Sequence, residues 1–474
     1  MSRTAIVVGS GPNGLAAAAF LARQGVDVTI HEQGPLPGGA ARSAEPLGEG
    51  FITDLGAAGH PFGVGSPAFR ELGLADHGLE WVHPTYPMAH PLPGRDAALL
   101  QRDASLTAAS LGSDRNAWRL LHRPVVKHPH RTLENITGPL LRLPPHPLSM
   151  ASFGIRAGWP AHLLARRLFE TEEARALFIG SAAHSMLPPT HPFTAAFGLV
   201  FGGLGQSLGW PVARGGTGRI VDALLAVLDQ HGAKIHTNSP VTDLRDLPRA
   251  DAVLLDLTPR QILKLQGAGL EDRYRRHLAK WKYGMGGFKV DYLLDGPIPW
   301  SDPRTAEAGT VHLGGTMEEI TEAESATQRG HLPARPFVLL CQQSTADPSR
   351  TRDGRHGVWA YAHVPNGCTA DAAPRIDAQI ERFAPGFQDR IIGRVDSSPQ
   401  ALESWNPNLV GGDIGGGSLR GLQQVLRPAP TLRPYNTGTA GLYICSSSTP
   451  PGGGVHGMAG WHAARAVLRD WDHR

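Results

Sequence analysis

The 474-residue chain has little cysteine, little charge and no long apolar run. Its three cysteines, Cys341, Cys368 and Cys445, lie far apart and form no C-x-x-C pair, so neither a disulfide framework nor a paired-thiol redox site is expected. Charged residues make up 18% of the sequence, and the net charge of +3 comes without a run of one sign. This pattern excludes the basic surface of a nucleic-acid-binding protein.

Targeting, membrane-spanning and metal-binding patterns are also missing. No signal-like segment precedes the first apolar run, and no stretch reaches the roughly 18 apolar residues of a spanning helix, so we expect a cytoplasmic protein. The stretch 194–210 is apolar but interrupted by glycines and Gln206, which indicates buried core or an interfacial surface. Neither H-E-x-x-H nor paired Cys–His spacing occurs, so no metal site is predicted. Basic residues are overwhelmingly Arg, which is typical of a GC-rich bacterial genome.

The strongest pattern that is present lies at the start of the chain. The continuous apolar run 4–9 predicts a parallel strand buried on both faces. The alanine-rich segment 15–22 predicts a helix, and 26–30 predicts a second strand that ends next to Glu32. This order is the β-α-β unit of dinucleotide-binding proteins.

The turn between the first strand and the helix is rich in glycine: Gly9-Ser10-Gly11-Pro12-Asn13-Gly14. Gly9 would allow the tight turn, Gly11 the approach of a pyrophosphate, and Gly14 the close packing of helix on strand. The phosphates would lie at the helix N-terminus, and Glu32 would bind ribose hydroxyls. The turn therefore predicts a dinucleotide cofactor.

Two later regions have the same α/β character. Their predicted elements are a helix at 219–230, strands at 233–237, 239–244, 251–256 and 441–445, and a helix at 455–468. We therefore predict an α/β fold with a discontinuous Rossmann-like domain made of 1–75, 205–265 and 425–474. An inserted α+β substrate-binding domain would comprise 76–204 and 266–424.

Four further segments resemble flavoproteins. Gln33 and the pair Gly38-Gly39, followed by Ala40 and Arg42, resemble the second loop of the glutathione-reductase-related group. Segment 51–58, with Gly56 and Ala57, is similar to the stretch beside the flavin ring in phytoene desaturases and amine oxidases. Segments 215–224 and 442–458 resemble the middle and closing signatures of that superfamily. The chain thus resembles the bacterial phytoene-desaturase-related NAD(P)/FAD-dependent oxidoreductases, including the carotenoid isomerases.

The resemblance implies FAD as cofactor and several contacts to it. Val241 would reach the adenine through its backbone, and Ser447 would lie at the ribityl chain. Further contacts would come from the start of the last helix, at Val455, His456, Gly457 and Met458. Amine oxidases carry a carboxylate where Ser447 stands, which weakens that likeness. Since no second glycine fingerprint follows a strand, we expect no separate nicotinamide domain.

Histidine is the natural acid–base candidate beside a flavin. His60 follows the flavin-side segment and His456 lies in the closing signature, so both are candidate catalytic residues; each could instead shape its loop by hydrogen bonding. His184 would roof the pocket or pack in the core. Lys127-His128-Pro129-His130 is predicted to be a surface loop.

Phe193, Phe197 and Phe201 recur every four residues, as on one face of a helix. Such a stripe is ordinary core or, in the family, the lining of a tunnel for a lipophilic substrate. The favoured function is a desaturase, dehydrogenase or isomerase that passes hydride from an apolar polyene or isoprenoid substrate to FAD. The alternatives are an amine or amino-acid oxidase and, more remotely, a prenyl-protein carrier like the Rab GDP-dissociation inhibitors. Oxygen or a quinone would take the electrons, and a quinone would imply peripheral membrane contact through 194–210. The sequence leaves the oligomeric state open.

Overall fold

The computed structural model describes residues 3–473, which form seventeen β-strands. The strands are β1 (Thr4–Val8), β2 (Asp27–His31), β3 (Ser43–Ala44), β4 (Thr53–Asp54), β5 (Trp81–Val82), β6 (Tyr86–Leu92), β7 (Arg95–Leu100), β8 (Val212–Ala213), β9 (Lys234–His236), β10 (Ala252–Leu255), β11 (Gly286–Leu294), β12 (Ala308–Leu313), β13 (Val338–Cys341), β14 (Thr351–Arg352), β15 (Arg355–Val364), β16 (Ile391–Ser397) and β17 (Leu442–Ile444).

The same residues form eighteen α-helices. The helices are α1 (Pro12–Arg23), α2 (Pro61–Val64), α3 (Pro67–Glu71), α4 (Ala104–Ser110), α5 (Arg115–Lys127), α6 (Pro129–Ile136), α7 (Pro147–Ala157), α8 (Ala161–Leu168), α9 (Glu172–Ala183), α10 (Thr194–Gly205), α11 (Gly218–Gln230), α12 (Pro259–Ile262), α13 (Asp272–Ala279), α14 (Met317–Gln328), α15 (Gln343–Ala346), α16 (Ala373–Glu381), α17 (Pro399–Trp405) and α18 (Met458–Asp472).

A five-stranded parallel sheet in the order β17-β10-β1-β2-β9 organises one half of the molecule. Successive residues of β1 point to opposite faces, so Ala5 and Val7 face α1, α11 and α18, whereas Ile6 and Val8 face α12 and α13. Both faces are thereby covered, which explains the continuous apolar sequence of β1. The carboxyl ends of β1, β2 and β10 meet at one edge, where such folds bind their ligands.

The other half contains an eight-stranded sheet in the order β16-β11-β15-β13-β12-β6-β7, with β14 paired to β15. Its pairs are antiparallel except β12 with β6. One face packs against helices α5 and α7 to α10 through residues such as Trp118 and Phe178, and the other packs against α16 through Ile376 and Ile380. The described residues contain no helix long and apolar enough to cross a membrane.

The predicted α/β class with a Rossmann-like sheet is confirmed. Every strand of the parallel sheet lies in the ranges assigned to the cofactor domain, and the eight-stranded sheet comes from the inserted ranges; the domain boundaries stay a prediction. Helix α1 begins at Pro12, earlier than predicted, because Pro suits the first helical position. Helix α18 begins at Met458, since Gly457 before it adopts a positive φ of 66°.

Three local predictions are wrong. Segment 239–244 is a loop with one isolated bridge from Asp243 to Gln266, and Pro240 in it lacks the N–H that a strand ladder needs. Phe193 precedes α10 with φ of 67° and is exposed, so only Phe197 and Phe201 share the helix. The expected surface loop 127–130 is instead the end of α5 and the start of α6, with Pro129 at the first helical position.

Candidate cofactor and substrate cavity

A cavity of about 1280 Å³ runs between the two halves of the molecule. One end lies against the glycine turn after β1, at the carboxyl edge of the parallel sheet. The other end lies between the eight-stranded sheet and helices α7 and α10, among aromatic side chains. A single cavity therefore contacts both the dinucleotide pattern and the inserted region.

The glycine turn shapes the first end through its backbone. Gly9 has a φ of 96° and its N–H donates to the His31 carbonyl at 2.8 Å. A side chain is excluded at Gly11, where a Cβ would lie 2.5 Å from Asp256 Oδ2. Helix α1 therefore begins on a residue without a side-chain cap, and the first turn of α1 contains no acidic residue. These features leave a helix N-terminus facing the cavity, which favours an anionic group.

Glu32 follows β2 and lies beside this turn. Its Oε2 accepts from the Ser10 backbone N–H at 3.0 Å and the Ser10 hydroxyl at 2.6 Å, while Oε1 accepts from the Gly34 N–H at 2.8 Å. The carboxylate is thus fixed at the cavity wall, where sugar hydroxyls could donate to it.

A second loop continues the wall. The Gly38 N–H donates to the Ser10 carbonyl at 2.9 Å, which ties this loop to the glycine turn. Gly39 and Ala40 follow in a short 3-10 turn, and Arg42 lies over the Trp405 ring at 5.1 Å. Because of this packing, the guanidinium is held at the cavity rather than in open solvent.

The structure brings most of the sequence-predicted cofactor residues to the cavity wall: Gly9, Gly11, Pro12, Asn13, Glu32, Gln33, Gly39, Ala40, Arg42, Gly56, Ala57, Val241, Ser447, Val455 and His456. It places four others behind the wall: Gly14, Gly38, Gly457 and Met458. The latter act through packing. A Cβ at Gly14 would overlap the Gly9 carbonyl oxygen, and one at Gly457 would lie 2.9 Å from the Ala16 Cβ.

His60 is buried and hydrogen-bonded within the protein. Its Nε2 lies 2.8 Å from the Thr217 hydroxyl, which itself donates to the Ala57 carbonyl, so His60 must be the donor. Burial, with a further contribution from Arg350, lowers the pKa of His60 to about 4, against the opposing effect of Asp54. His60 therefore stands neutral at the cavity, linking the flavin-side segment to α11.

His456 has a comparable structural contact. Its Nδ1 accepts from the N–H of Met458, the first residue of α18, at 3.1 Å, and burial lowers its pKa to about 4. The Ser66 hydroxyl donates to the His456 carbonyl at 2.7 Å. These contacts favour the loop-shaping interpretation for His456, and its catalytic role stays a prediction.

Asp256 directly follows β10 and has no recognisable signal in the sequence. Its Oδ2 accepts from the Gly14 N–H at 3.0 Å, directly beneath the glycine turn. Burial raises the pKa of Asp256 to about 7, against the hydrogen bonds from Gly14 and Gly11. The carboxyl thus changes charge near neutral pH at the place where a pyrophosphate would approach.

Two buried ion pairs near the cavity were also not predicted. Arg350 lies 2.7 Å from Asp54, which accepts from the Ser43 hydroxyl and the Thr217 N–H as well. Burial alone would raise the pKa of Asp54, but Arg350 and these hydrogen bonds lower it overall. The pair joins the eight-stranded sheet region to the flavin-side segment.

The second pair is Lys289 with Asp291 on β11. Both side chains are buried, Lys289 lines the cavity, and its ammonium lies 5.9 Å from the centre of the Trp359 ring. Burial lowers the pKa of Lys289 and raises that of Asp291 to about 6. The sequence signal for this pair was a lysine within a strand whose other residues are buried.

The other end of the cavity is aromatic. Phe201 stacks on Trp210 at 5.2 Å and meets Phe62 edge-on at 5.3 Å. His184, at the end of α9, stacks on Phe201 at 4.4 Å and also lines the cavity. The apolar stretch 194–210 therefore lies largely inside the molecule, with part of it facing the cavity.

The residues at the first end fit a flavin dinucleotide. Glycine backbone and a free helix N-terminus suit phosphates, the Glu32 carboxylate suits ribose, and Arg42 supplies a cation. Asn13 adds a buried side-chain oxygen, Oδ1, without a partner in the described residues.

No group of three or more His, Cys, Asp or Glu side chains in the described part could hold a metal ion.

Comparisons with known proteins show which folds and sequences this chain resembles. A family model described as an NAD(P)-binding Rossmann-like domain matches residues 7–72. An oxidoreductase from Methanosarcina mazei has the same fold, with a TM-score of 0.64 and 17% identity over 98% of this chain and 100% of that chain. Putrescine oxidase bound to putrescine matches with a TM-score of 0.62 and 18% identity over 100% of both chains. The chain therefore contains a Rossmann-like dinucleotide-binding segment and shares the fold of these oxidoreductases.

Proteins of similar sequence include an oxidoreductase-domain protein and phytoene desaturases. The chain is 26% identical to the rat (Rattus norvegicus) pyridine nucleotide-disulfide oxidoreductase domain-containing protein 2, over 98% of this chain and 93% of that protein. It is 25% identical to the neurosporene-forming phytoene desaturase of Rhodobacter capsulatus, over 96% and 92%. The resemblance to phytoene desaturases is thus confirmed, with relatives in mammals as well as bacteria.

Proposed function

We propose that the protein uses FAD to dehydrogenate or isomerise an apolar substrate, in the manner of a polyene or isoprenoid desaturase. The observation that carries this proposal is one cavity that has the glycine turn and a helix N-terminus at one end and aromatic side chains at the other. The names of the desaturase relatives support the substrate class.

FAD would be held by the glycine turn at its pyrophosphate, by Glu32 at a ribose, by Val241 at the adenine and by Ser447 at the ribityl chain. The bound flavin would supply a two-electron acceptor for hydride. The protein's own contribution would be to orient the substrate and exclude water. Phe201 and Trp210 would pack against an apolar chain, since aromatic rings provide large apolar contact areas.

The buried ammonium of Lys289, paired with Asp291, would lie between the two ends of the cavity. Such a charge favours negative charge that develops nearby, because a buried site screens it weakly. His60, whose Nε2–H is engaged by Thr217, would act mainly by holding the flavin-side segment. Oxygen or a quinone would reoxidise the enzyme.

The test is anaerobic bleaching of the purified flavoprotein. Phytoene and neurosporene should bleach the flavin absorbance and yield products two hydrogens lighter, or isomers without bleaching. Putrescine and cyclohexylamine form the comparison arm. Bleaching by the amines alone, with peroxide release in air, would replace this proposal with an amine oxidase. A colourless protein that binds no added FAD would contradict both.

The electron acceptor requires a separate measurement. Reduced enzyme is mixed with air-saturated buffer or with menadione under nitrogen, and the return of flavin absorbance is followed. Faster return with menadione supports a quinone. Pelleting with liposomes then tests the peripheral membrane contact that a membrane quinone would require.

A further inference from the structure

The aromatic end of the cavity contains a pair of neutral histidines. His184 Nε2 lies 3.0 Å from His312 Nε2. His312, on β12, is fully buried, whereas His184 is partly exposed to the cavity. Burial lowers the pKa of His184 to about 3 and that of His312 well below its usual value. Two neutral rings at this distance share one N–H, which belongs to either His184 or His312.

The surroundings of His312 decide which ring donates. Its Nδ1 is buried without a partner and faces Gly180 beside His90 Nδ1. His90 Nε2 lies 2.8 Å from the Gly315 carbonyl, which can only accept, so His90 carries its proton on Nε2 and presents a lone pair at Nδ1. Although His90 Nδ1 is an acceptor, neither it nor His312 Nδ1 makes a hydrogen bond within the described residues, so a proton on His312 Nδ1 would be a buried donor without a bonded acceptor.

Buried N–H groups without an acceptor are rarer in native proteins than acceptors without a donor. His312 therefore carries its proton on Nε2 and donates to His184. His184 Nε2 is then the acceptor, and its proton lies on Nδ1. That nitrogen has no hydrogen bond within the described residues, and the ring lines the cavity.

We infer that His184 is a ligand-binding residue whose Nδ1–H donates to a carbonyl or comparable acceptor oxygen on an otherwise apolar molecule. The rings of Phe201 and Trp210, which cluster with His184, would contact the apolar body of the ligand, and the histidine would fix the position of its oxygen. His312 is a positioning residue that sets the tautomer. The inference rests on the proposed function only in assigning this cavity to an organic substrate or acceptor.

Binding without turnover tests the inference. Equilibrium dialysis of the oxidised holoenzyme compares menadione, which has carbonyl oxygens, with 2-methylnaphthalene, a hydrocarbon of similar shape. A neutral hydrogen bond contributes about 0.5–1.5 kcal/mol, so His184→Phe should weaken menadione binding about 2- to 12-fold. Binding of 2-methylnaphthalene should be unchanged. Equal losses for both ligands, or no loss for either, would overturn the inference.

Three controls separate this role from packing. His122→Phe makes the same change at a buried histidine between Trp118 and Phe178 that does not line the cavity, and it should leave the ratio of the two affinities unchanged. His312→Phe should lose the preference for menadione, while His312→Gln should retain it, because the amide can still donate to His184. In ¹⁵N-histidine NMR spectra, His184 should be protonated on Nδ1; protonation on Nε2 would overturn the inference.

The carbonyl could belong to the substrate or to a quinone acceptor. In the second arm, dithionite-reduced enzyme passes two electrons to menadione, which takes up two protons to become the hydroquinone. Slower reoxidation in His184→Phe at subsaturating menadione assigns the site to the acceptor. Unchanged reoxidation with weakened binding to the oxidised enzyme assigns it to the substrate. Failure to turn over polyenes would affect the proposed function and leave these binding results intact.

Discussion

The two ends of the cavity are built in different ways. The dinucleotide end is centred on residues close in sequence, the Gly9–Gly14 turn and Glu32, and the turn acts largely through backbone groups. Val241, Ser447 and Val455 join its wall from distant segments. The aromatic end is made of side chains from α9, α10 and β12, which are distant in sequence. The signal for a dinucleotide is therefore local in sequence, whereas the substrate site depends on how the inserted region folds.

The largest expected effect concerns Lys289, between the two ends. Lys289→Met leaves the Asp291 carboxylate buried without its partner, and breaking such a pair costs about 3–5 kcal/mol. Urea denaturation at pH 8 should show this loss. The loss should shrink at acid pH, because the raised pKa of Asp291 lets it become neutral there.

The matched control is the double variant Lys289→Met with Asp291→Leu, which removes both charges. It should regain most of the lost stability, since a buried pair can often be replaced by apolar side chains of similar volume. If Lys289→Met were as stable as the wild type, the surroundings of Asp291 would be more hydrated than the burial of its side chain indicates.

The second prediction concerns the pH dependence of stability at the dinucleotide end of the cavity. The folded-state pKa of Asp256 is raised to about 7, so its contribution is fully present below the unfolded pKa of about 3.9 and is lost as the pH rises through 7. Asp256→Asn removes this titration. The stability of the variant relative to wild type should increase by about 1.4 kcal/mol per pH unit between pH 4 and 7, then level off. A difference independent of pH would show that Asp256 is ionised throughout.

These cases show what the sequence could and could not predict. The parallel sheet, the glycine turn and Glu32 were predictable because strand, turn and helix signals are contiguous. Asp54 and Arg350 are 296 positions apart, and His184 and His312 are 128 apart, so no spacing rule connects them. Loop 239–244 was mistaken for a strand because apolar alternation alone carries no information on sheet neighbours.

A third prediction tests the cofactor directly. Glu32→Gln keeps the shape of the side chain but removes its charge, and hydrogen bonds to charged groups contribute about 1.5–3 kcal/mol. The dissociation constant for FAD should therefore rise about 10-fold or more, as measured by fluorescence titration of the apoprotein. Glu49→Gln, on an exposed residue outside the cavity, is the control. Equal FAD affinity in both variants would remove Glu32 from the ribose site.

The smallest effect is expected at the aromatic end. Phe201→Leu keeps an apolar side chain but loses the stacking on His184 and Trp210, and such contacts contribute about 0.5–1.5 kcal/mol. Binding of 2-methylnaphthalene should weaken about 2- to 12-fold, while FAD affinity stays at the wild-type value. Phe387→Leu makes the same change in the core on the far side of the eight-stranded sheet, where it should lower stability without altering ligand binding. If Phe201→Leu weakened FAD binding as well, the two ends would be energetically coupled, and the division between a local cofactor site and an assembled substrate site would fail.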